Sequence, residues 1–310
     1  RTEAIKLEMG EEGRLETLAM NQAGELLAAV TWLEKTPSAQ GDPPTNKDPD
    51  FWDYWSERRE IRVVDGSGHV KSAIEIENVV PLQICSSDDG SIYLGGEYLI
   101  ARIDSDCKLV EKVKIVDVIP DTSDDTHISG IAVSDQHLFV AVGSGRSLRA
   151  TEDIVRMTRD LKDPITIVER QFGCCSHIDM AIDGTTLLIA ENSRHRVNRF
   201  TFDGELLGRW GKKDRTGIEG FAACCNPVNF DMFDGTLVTA ESGIGRVKAF
   251  HPDGTFKQLI GYVDTTKFDR GSRVAAASCY IPVEVSPDGD HIYVMDVRAN
   301  SIRVLERIQP

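Results

Sequence analysis

The chain has 310 residues, 41% of them hydrophobic and 27% charged, which is the balance of a folded globular protein rather than a disordered or fibrous one. A formal net charge of −15 opposes binding to a phosphate backbone or an anionic membrane surface, since both require clustered Lys and Arg, so no nucleic-acid partner is expected. No run approaches the ~18 consecutive apolar residues of a membrane-spanning helix, so no membrane insertion is expected either.

Residues 4–9, AIKLEM, read as a short strand. Residues 13–75 hold two longer apolar stretches, LETLAMNQAGELLAAV and EIRVVDGSGHVKSAIEI, each broken by a Gly-containing turn. An insertion at 33–58 separates them and carries Pro43, Pro44 and the aromatics Phe51, Trp52, Tyr54 and Trp55. Such a loop either packs on its own unit or docks a protein partner, and a partner is the expectation. Residues 78–115 repeat the pattern with SSDDGSIYLGG and LIARIDSDCKLVEKVKI, and residues 127–172 repeat it again from ISGIAVSDQHLFVAV to PITIVERQF.

Three stronger copies follow, starting at Cys174, Cys224 and Cys279. They align without gaps as far as an acidic residue: Glu191, Glu241 and Asp296 stand at the same distance from their cysteines. Each reads as an apolar strand, an Asp-Gly turn, a second apolar strand, a polar turn and a third strand. Asp-Gly between apolar runs signals a hairpin, because glycine accepts the positive φ of tight turns. The six units average ~40 residues, the period of a propeller blade. The last supplies only three strands, and residues 4–9 can supply its fourth, which removes an exposed edge. The prediction is an all-β, six-bladed β-propeller over residues 1–310 as a single domain, its ring closed by an N-terminal strand that completes the last blade.

The prolines near the first strand (Pro81, Pro227, Pro282), the Asp-Gly hairpins, the A-E or M-D ending of the second strand and the Arg-Val after it resemble the NHL-repeat propellers across nearly the whole chain. That resemblance implies a fold. It does not imply a function, because propellers serve as enzymes, ligand binders and scaffolds.

In such a ring, the loop leading into a blade and the turn between its second and third strands share one face. The long segments 33–58, 116–127, 143–152, 211–223 and 262–278 therefore crowd one mouth of the central channel. Cys174, Cys224 and Cys279 occupy one register there, Cys175 and Cys225 follow directly, and His177 completes a Cys-Cys-x-His run. Thiolate and imidazole together suit a transition metal such as zinc or copper, or an iron–sulfur cluster, so Cys174, Cys175, His177, Cys224, Cys225 and Cys279 are the candidate metal ligands. The competing reading is disulfides, either vicinal or joining Cys174 to Cys224 or Cys279 across blades. Cys85 is expected in the core and Cys107 as a surface thiol.

Two residues further in, Asp179, Asn229 and Glu284 share one register and the polar parity of the strand. A ring of this kind resembles the calcium site of lactonase-like propellers, which would make the chain a metal-dependent hydrolase with His177 as an accessory group. His127 is expected as a solvated loop histidine that could add a ligand. Glu191 with Arg196, and Glu241 with Arg246, are expected as pairs bracing turns. The leading expectation is a binding propeller that holds a metal or redox cofactor at its mouth and serves electron transfer or a redox complex. An interaction scaffold with disulfides and a calcium-dependent hydrolase are the alternatives, and the acidic balance suggests a periplasmic or secreted setting.

Overall fold

The computed structural model describes residues 2–144, 151–174, 177–223, 225–264 and 280–307. It is a six-bladed β-propeller of six antiparallel four-stranded sheets. The first strand, β1 (Thr2–Ile5), belongs to the last blade. Blade 1 is β2 (Glu11–Met20), β3 (Leu26–Lys35), β4 (Trp55–Val64) and β5 (Val70–Glu75). Blade 2 is β6 (Pro81–Ser86), β7 (Ile92–Gly96), β8 (Leu99–Ile103) and β9 (Leu109–Lys114). Blade 3 is β10 (Thr126–Val133), β11 (His137–Ser144), β12 (Glu152–Thr158) and β13 (Ile165–Gln171). Blade 4 is β14 (Met180–Asp183), β15 (Thr186–Glu191), β16 (Arg196–Thr201) and β17 (Leu206–Trp210). Blade 5 is β18 (Asn229–Phe233), β19 (Thr236–Glu241), β20 (Arg246–Phe250) and β21 (Phe256–Tyr262). Blade 6 is β22 (Val283–Val285), β23 (His291–Asp296) and β24 (Ser301–Glu306), and β1 pairs with β24 from Thr2↔Leu305 to Ile5↔Ile302. The innermost strands β2, β6, β10, β14, β18 and β22 each adjoin the next, and β22 returns to β2, which closes the ring.

Local chemistry explains the blades. The second strands are continuous apolar runs that end in an acid, TLLIAE in β15 and TLVTAE in β19, buried along their whole length because blades cover both faces. In blade 5 the hairpin pairs Phe233 with Thr236, and its two central residues, Asp234 (φ 44°) and Gly235 (φ 63°), both take the left-handed conformation that an Asp-Gly hairpin turn demands. The core is a set of wedges between neighbouring blades: Ile61 and Ile76 of blade 1 meet Ile84 and Leu94 of blade 2, and Phe139 of blade 3 meets Met180 and Phe200 of blade 4.

The insertion in blade 1 is shorter than the sequence suggested. Strands β3 and β4 stay paired out to Lys35↔Trp55, so only residues 36–54 leave the sheet. Phe51 and Tyr54 of the helical turn Phe51–Tyr54 are buried, and Lys35 lies over the Tyr54 ring, whereas Trp52 is 61% exposed. The aromatic group is thus mainly a flap on its own blade, with one tryptophan presented outward.

Candidate functional site at the channel mouth

The loop leading into blade 4 is clamped by one side chain. Asn192, fully buried just past β15, accepts the Cys174 N–H at 2.7 Å and donates to the His177 carbonyl at 2.7 Å. Blade 5 uses the same device with the roles exchanged: Asn226 of the loop accepts the Ser242 N–H at 2.9 Å and donates to its carbonyl at 3.2 Å. His195 Nδ1 reaches the Asn226 carbonyl at 3.2 Å, so the basic turn Arg194–Arg196 ties blade 4 to the loop of blade 5.

Between these two clamped loops, Cys174 and Cys225 form a disulfide, with Cα atoms 5.6 Å apart and a sequence separation of 51. The register had set Cys174 level with Cys224. Cys225 instead lies in the left-handed region at φ 64°, which breaks the strand-like alternation there and brings the second cysteine of the pair to the bridge. Cys174 is half-buried and Cys225 is 4% exposed. Cys175, Cys224 and Cys279 lie outside the described residues. Cys85 and Cys107 are free thiols, Cys107 exposed as expected. Cys85 packs against the core of blades 2 and 3 and also lines the channel, and burial raises its thiol well above the ordinary range.

His177 turns into the channel. Its ring stacks on Tyr280 with centroids 4.4 Å apart and planes 17° from parallel, and its Nδ1 lies 3.5 Å from Gln83 Nε2 of blade 2. The Tyr280 hydroxyl sits 2.7 Å from Thr17 Oγ1 of blade 1 and donates to Gln83 Oε1 at 3.3 Å. Residues of four blades therefore meet across the axis as a roof. Sequence reasoning missed Tyr280, although it stands in the column of Cys175 and Cys225 directly after Cys279.

Beneath the roof lies a cavity of about 480 Å³, lined from Tyr280 down to Asn21, Gln22, Asp234 and Pro287 in the hairpin turns of the opposite face. Asp179, Asn229 and Glu284 all line it, as their common register predicted, and Asp231 joins them. These side chains are blade-to-blade ties. Asp179 Oδ2 accepts the Phe230 N–H of blade 5 at 2.8 Å and Asn229 Nδ2 at 3.2 Å. Asn229 accepts the Ile281 N–H at 2.9 Å, Asp231 the Val285 N–H at 2.8 Å, and Glu284 the Met20 N–H of blade 1 at 3.0 Å. Burial pushes Asp179 up to about 7 and Asp231 up to about 6, in spite of these donors. Glu284 is raised by burial and then by the charges of Asp231 and Asp179. Asp231 escaped the sequence reading because its column holds Ala181 and Ser286 in the neighbouring blades, so no repeat marks it.

The outer ion pairs came out as expected. Glu191 pairs with Arg196, and fully buried Glu241 pairs with Arg246 at 2.9 Å and with fully buried Lys248 at 2.7 Å. Arg246 and Lys248 also donate to the Gly220 carbonyl at 3.2 and 2.7 Å, which holds the loop ahead of Cys224 against blade 5. His127 is not a solvated loop residue. It is 4% exposed at the start of β10, and burial lowers its pKa.

Metal binding can be tested on these side chains. Cys174 and Cys225 use their sulfurs on each other, and His177 faces Tyr280 and Gln83. The channel carboxylates are engaged by backbone N–H groups. Among the described residues, no three His, Cys, Asp or Glu side chains converge as a ligand set. In this bridged arrangement Cys174 and Cys225 have no thiolate to offer a soft metal, and the other three cysteines of the candidate set lie outside the described residues.

No protein-family profile matches the sequence, and no curated protein matches it. Solved structures match the fold. A protein of unknown function from Bacteroides thetaiotaomicron superposes with a TM-score of 0.62 at 12% identity, over 98% of this chain and 72% of its own. A gluconolactonase from Xanthomonas campestris gives 0.57 at 13% identity, over 96% and 86%. A chain of the nidogen/laminin complex gives 0.53 at 16% identity, over 80% and 86%. At these identities the likeness is one of fold alone.

Proposed function

We propose that this chain is a redox-active binding propeller of the NHL-repeat type, working through its cysteine-rich mouth in a periplasmic or secreted setting. The observation that carries this reading is the Cys174–Cys225 bridge, which spans two blades with one sulfur half-buried and the other enclosed. Two further cysteines, Cys175 and Cys224, are each one peptide bond from the bridge, and thiol–disulfide exchange proceeds by attack of a neighbouring thiolate on a disulfide sulfur. The exposed Trp52 offers a contact for a protein partner on the same face.

The test is a thiol count and elemental analysis on protein purified without oxygen, beside C174S and C225S. Two fewer free thiols than the sequence supplies, a bridge that opens with dithiothreitol in the folded protein, and variants that keep the wild-type circular dichroism would support exchange at the mouth. Stoichiometric zinc, copper or iron that disappears in C174S would assign the same residues to a metal instead. A bridge that opens only on unfolding would make it structural.

A second reading rests on the carboxylate-lined cavity. Asp179, Asp231, Glu284 and Asn229 beneath a closed roof could serve a metal-dependent hydrolase, and a gluconolactonase shares the fold. Calcium-dependent lactone turnover, abolished by E284Q, would favour it over the first reading.

A further inference from the structure

Two aromatic rings stand out on the mouth face. Trp52 is 61% exposed in the blade 1 flap, and Tyr98 is 52% exposed in the turn between β7 and β8 of blade 2. Both segments join the second strand of a blade to its third, and blades 1 and 2 adjoin in the ring, so the two rings belong to one side of the mouth. Tyr98 also sits at φ 65°, in the left-handed region that glycine enters freely and a bulky side chain does not. Its backbone holds both ends of the segment that crosses from blade 2 to blade 3. The Ile115 N–H donates to the Tyr98 carbonyl at 2.8 Å, and the Tyr98 N–H donates to the Thr126 carbonyl at 3.3 Å. That segment buries Ile115 and Ile119 and leaves Val116 exposed.

The polar residues around these rings are almost all of one sign. Asp42, Asp48, Asp50 and Asp53 are exposed in the flap, where Lys47 is the one cation. Asp117, Asp121, Asp124 and Asp125 are exposed in the crossing segment, which has no cation between Ile115 and Thr126. Lys35 and Lys114 stand only at the margins of the two segments, and Lys35 lies over the Tyr54 ring. None of these aspartates forms an ion pair among the described residues. Exposed Trp and Tyr bind cations through their ring faces, and carboxylates beside them add charge attraction. A second copy of this chain does not supply the complement, because two molecules of net charge −15 repel.

We infer that the blade 1–blade 2 side of the mouth is the docking face for a protein segment rich in Arg and Lys. The inference rests on the reading of the mouth as a protein-docking face, and not on the chemistry of its sulfurs. Trp52 and Tyr98 receive guanidinium or ammonium groups on their rings, and the aspartates draw the segment in and set its orientation. The left-handed Tyr98 keeps a ring outward where glycine would satisfy the turn.

The experiment is the binding of a labelled peptide of alternating Arg and Gly to the full chain at low salt, read by fluorescence anisotropy, with the Glu–Gly peptide as control. The Arg peptide should bind, more weakly as salt rises, and the Glu peptide should not. D121N/D124N should weaken binding at least about 3-fold, within what two exposed charges contribute. D106N/D135N removes two exposed charges from the opposite face and reaches the same net charge, so it should leave affinity within about 2-fold. Y98G should bind about 3-fold more weakly, as the loss of one exposed cation–π contact predicts, while melting no lower than wild type. Equal weakening by the two asparagine pairs, or undiminished binding by Y98G, overturns the inference. Self-association of the wild type that D121N/D124N abolishes makes a second copy the occupant and also overturns it. Dithiothreitol opening of the bridge in folded protein, measured beside these titrations, tests the redox reading separately: a bridge that opens while the Arg peptide fails to bind sinks the docking face alone.

Discussion

Asn192 shows how much one buried amide can organise. It holds both ends of the Cys174–His177 loop from the turn at the end of β15, and its own polar atoms have no access to water. Replacing it with alanine leaves the Cys174 N–H and the His177 carbonyl without their partner. Each orphaned buried group costs ~1–3 kcal/mol, so N192A should lose at least about 2 kcal/mol of stability. The loop that presents Cys174 should also wander, and less of the purified protein should carry the bridge. Denaturant unfolding and a thiol titration on the same sample check both effects; unchanged bridge content would mean that the blades alone set the sulfurs in place.

Among the elements, β1 has the clearest task. Without it, β24 would show a row of free N–H and C=O groups, a ready template for another chain. A variant beginning at residue 7 should melt at a lower temperature and self-associate, which scanning calorimetry and size-exclusion chromatography would reveal. The six repeats and this closure were legible in sequence because they rest on period-two alternation and turn chemistry, both local signals. The column Asp179–Asn229–Glu284 was legible for the same reason. What escaped reading depends on contacts that no repeat records. The bridge partner Cys225 follows from one left-handed residue, the roof from Tyr280 reaching Thr17 at the far end of the chain, and Asp231 from a column polar in one blade and small in its neighbours. Glu152 closes the segment 143–152 that the sequence assigned to the mouth loops, whereas β12 begins at that residue and buries it.

For the molecule as a whole, the enclosed acids fix the direction of its response to pH. Asp179 and Glu152 at about 7, Asp231 at about 6 and Glu284, also raised by burial and its acidic neighbours, all bind protons more tightly folded than unfolded. The stability they contribute is fully present below the ordinary carboxylate range near pH ~4 and is lost as pH rises through these values. Exposed acids of lowered pKa, such as Asp65 at about 2 and Asp160 at about 2, have completed their opposite effect by pH 5. The melting temperature should therefore be higher at pH 5.5 than at pH 8. E284Q, whose amide oxygen can still accept the Met20 N–H, should remove part of that difference. It should stabilise the fold more at pH 8 than at pH 5.5, since each unit by which the folded carboxyl is raised is worth ~1.4 kcal/mol. An equal gain at both values would place the effect in packing rather than charge.

The roof of Tyr280 and His177 carries a further consequence. It turns the propeller from a pipe into a cup, with the sulfur chemistry on the outside of its base and the acids within its bowl. A solute filling the bowl arrives through the hairpin rim, and a protein touching the sulfurs arrives from the other side, so both can be engaged at once without competing for space. The wall that separates them is one phenol stacked on one imidazole, and the histidine stands three positions after the bridged Cys174 in sequence. A change of state at the sulfurs has a short covalent route to the lid of the bowl.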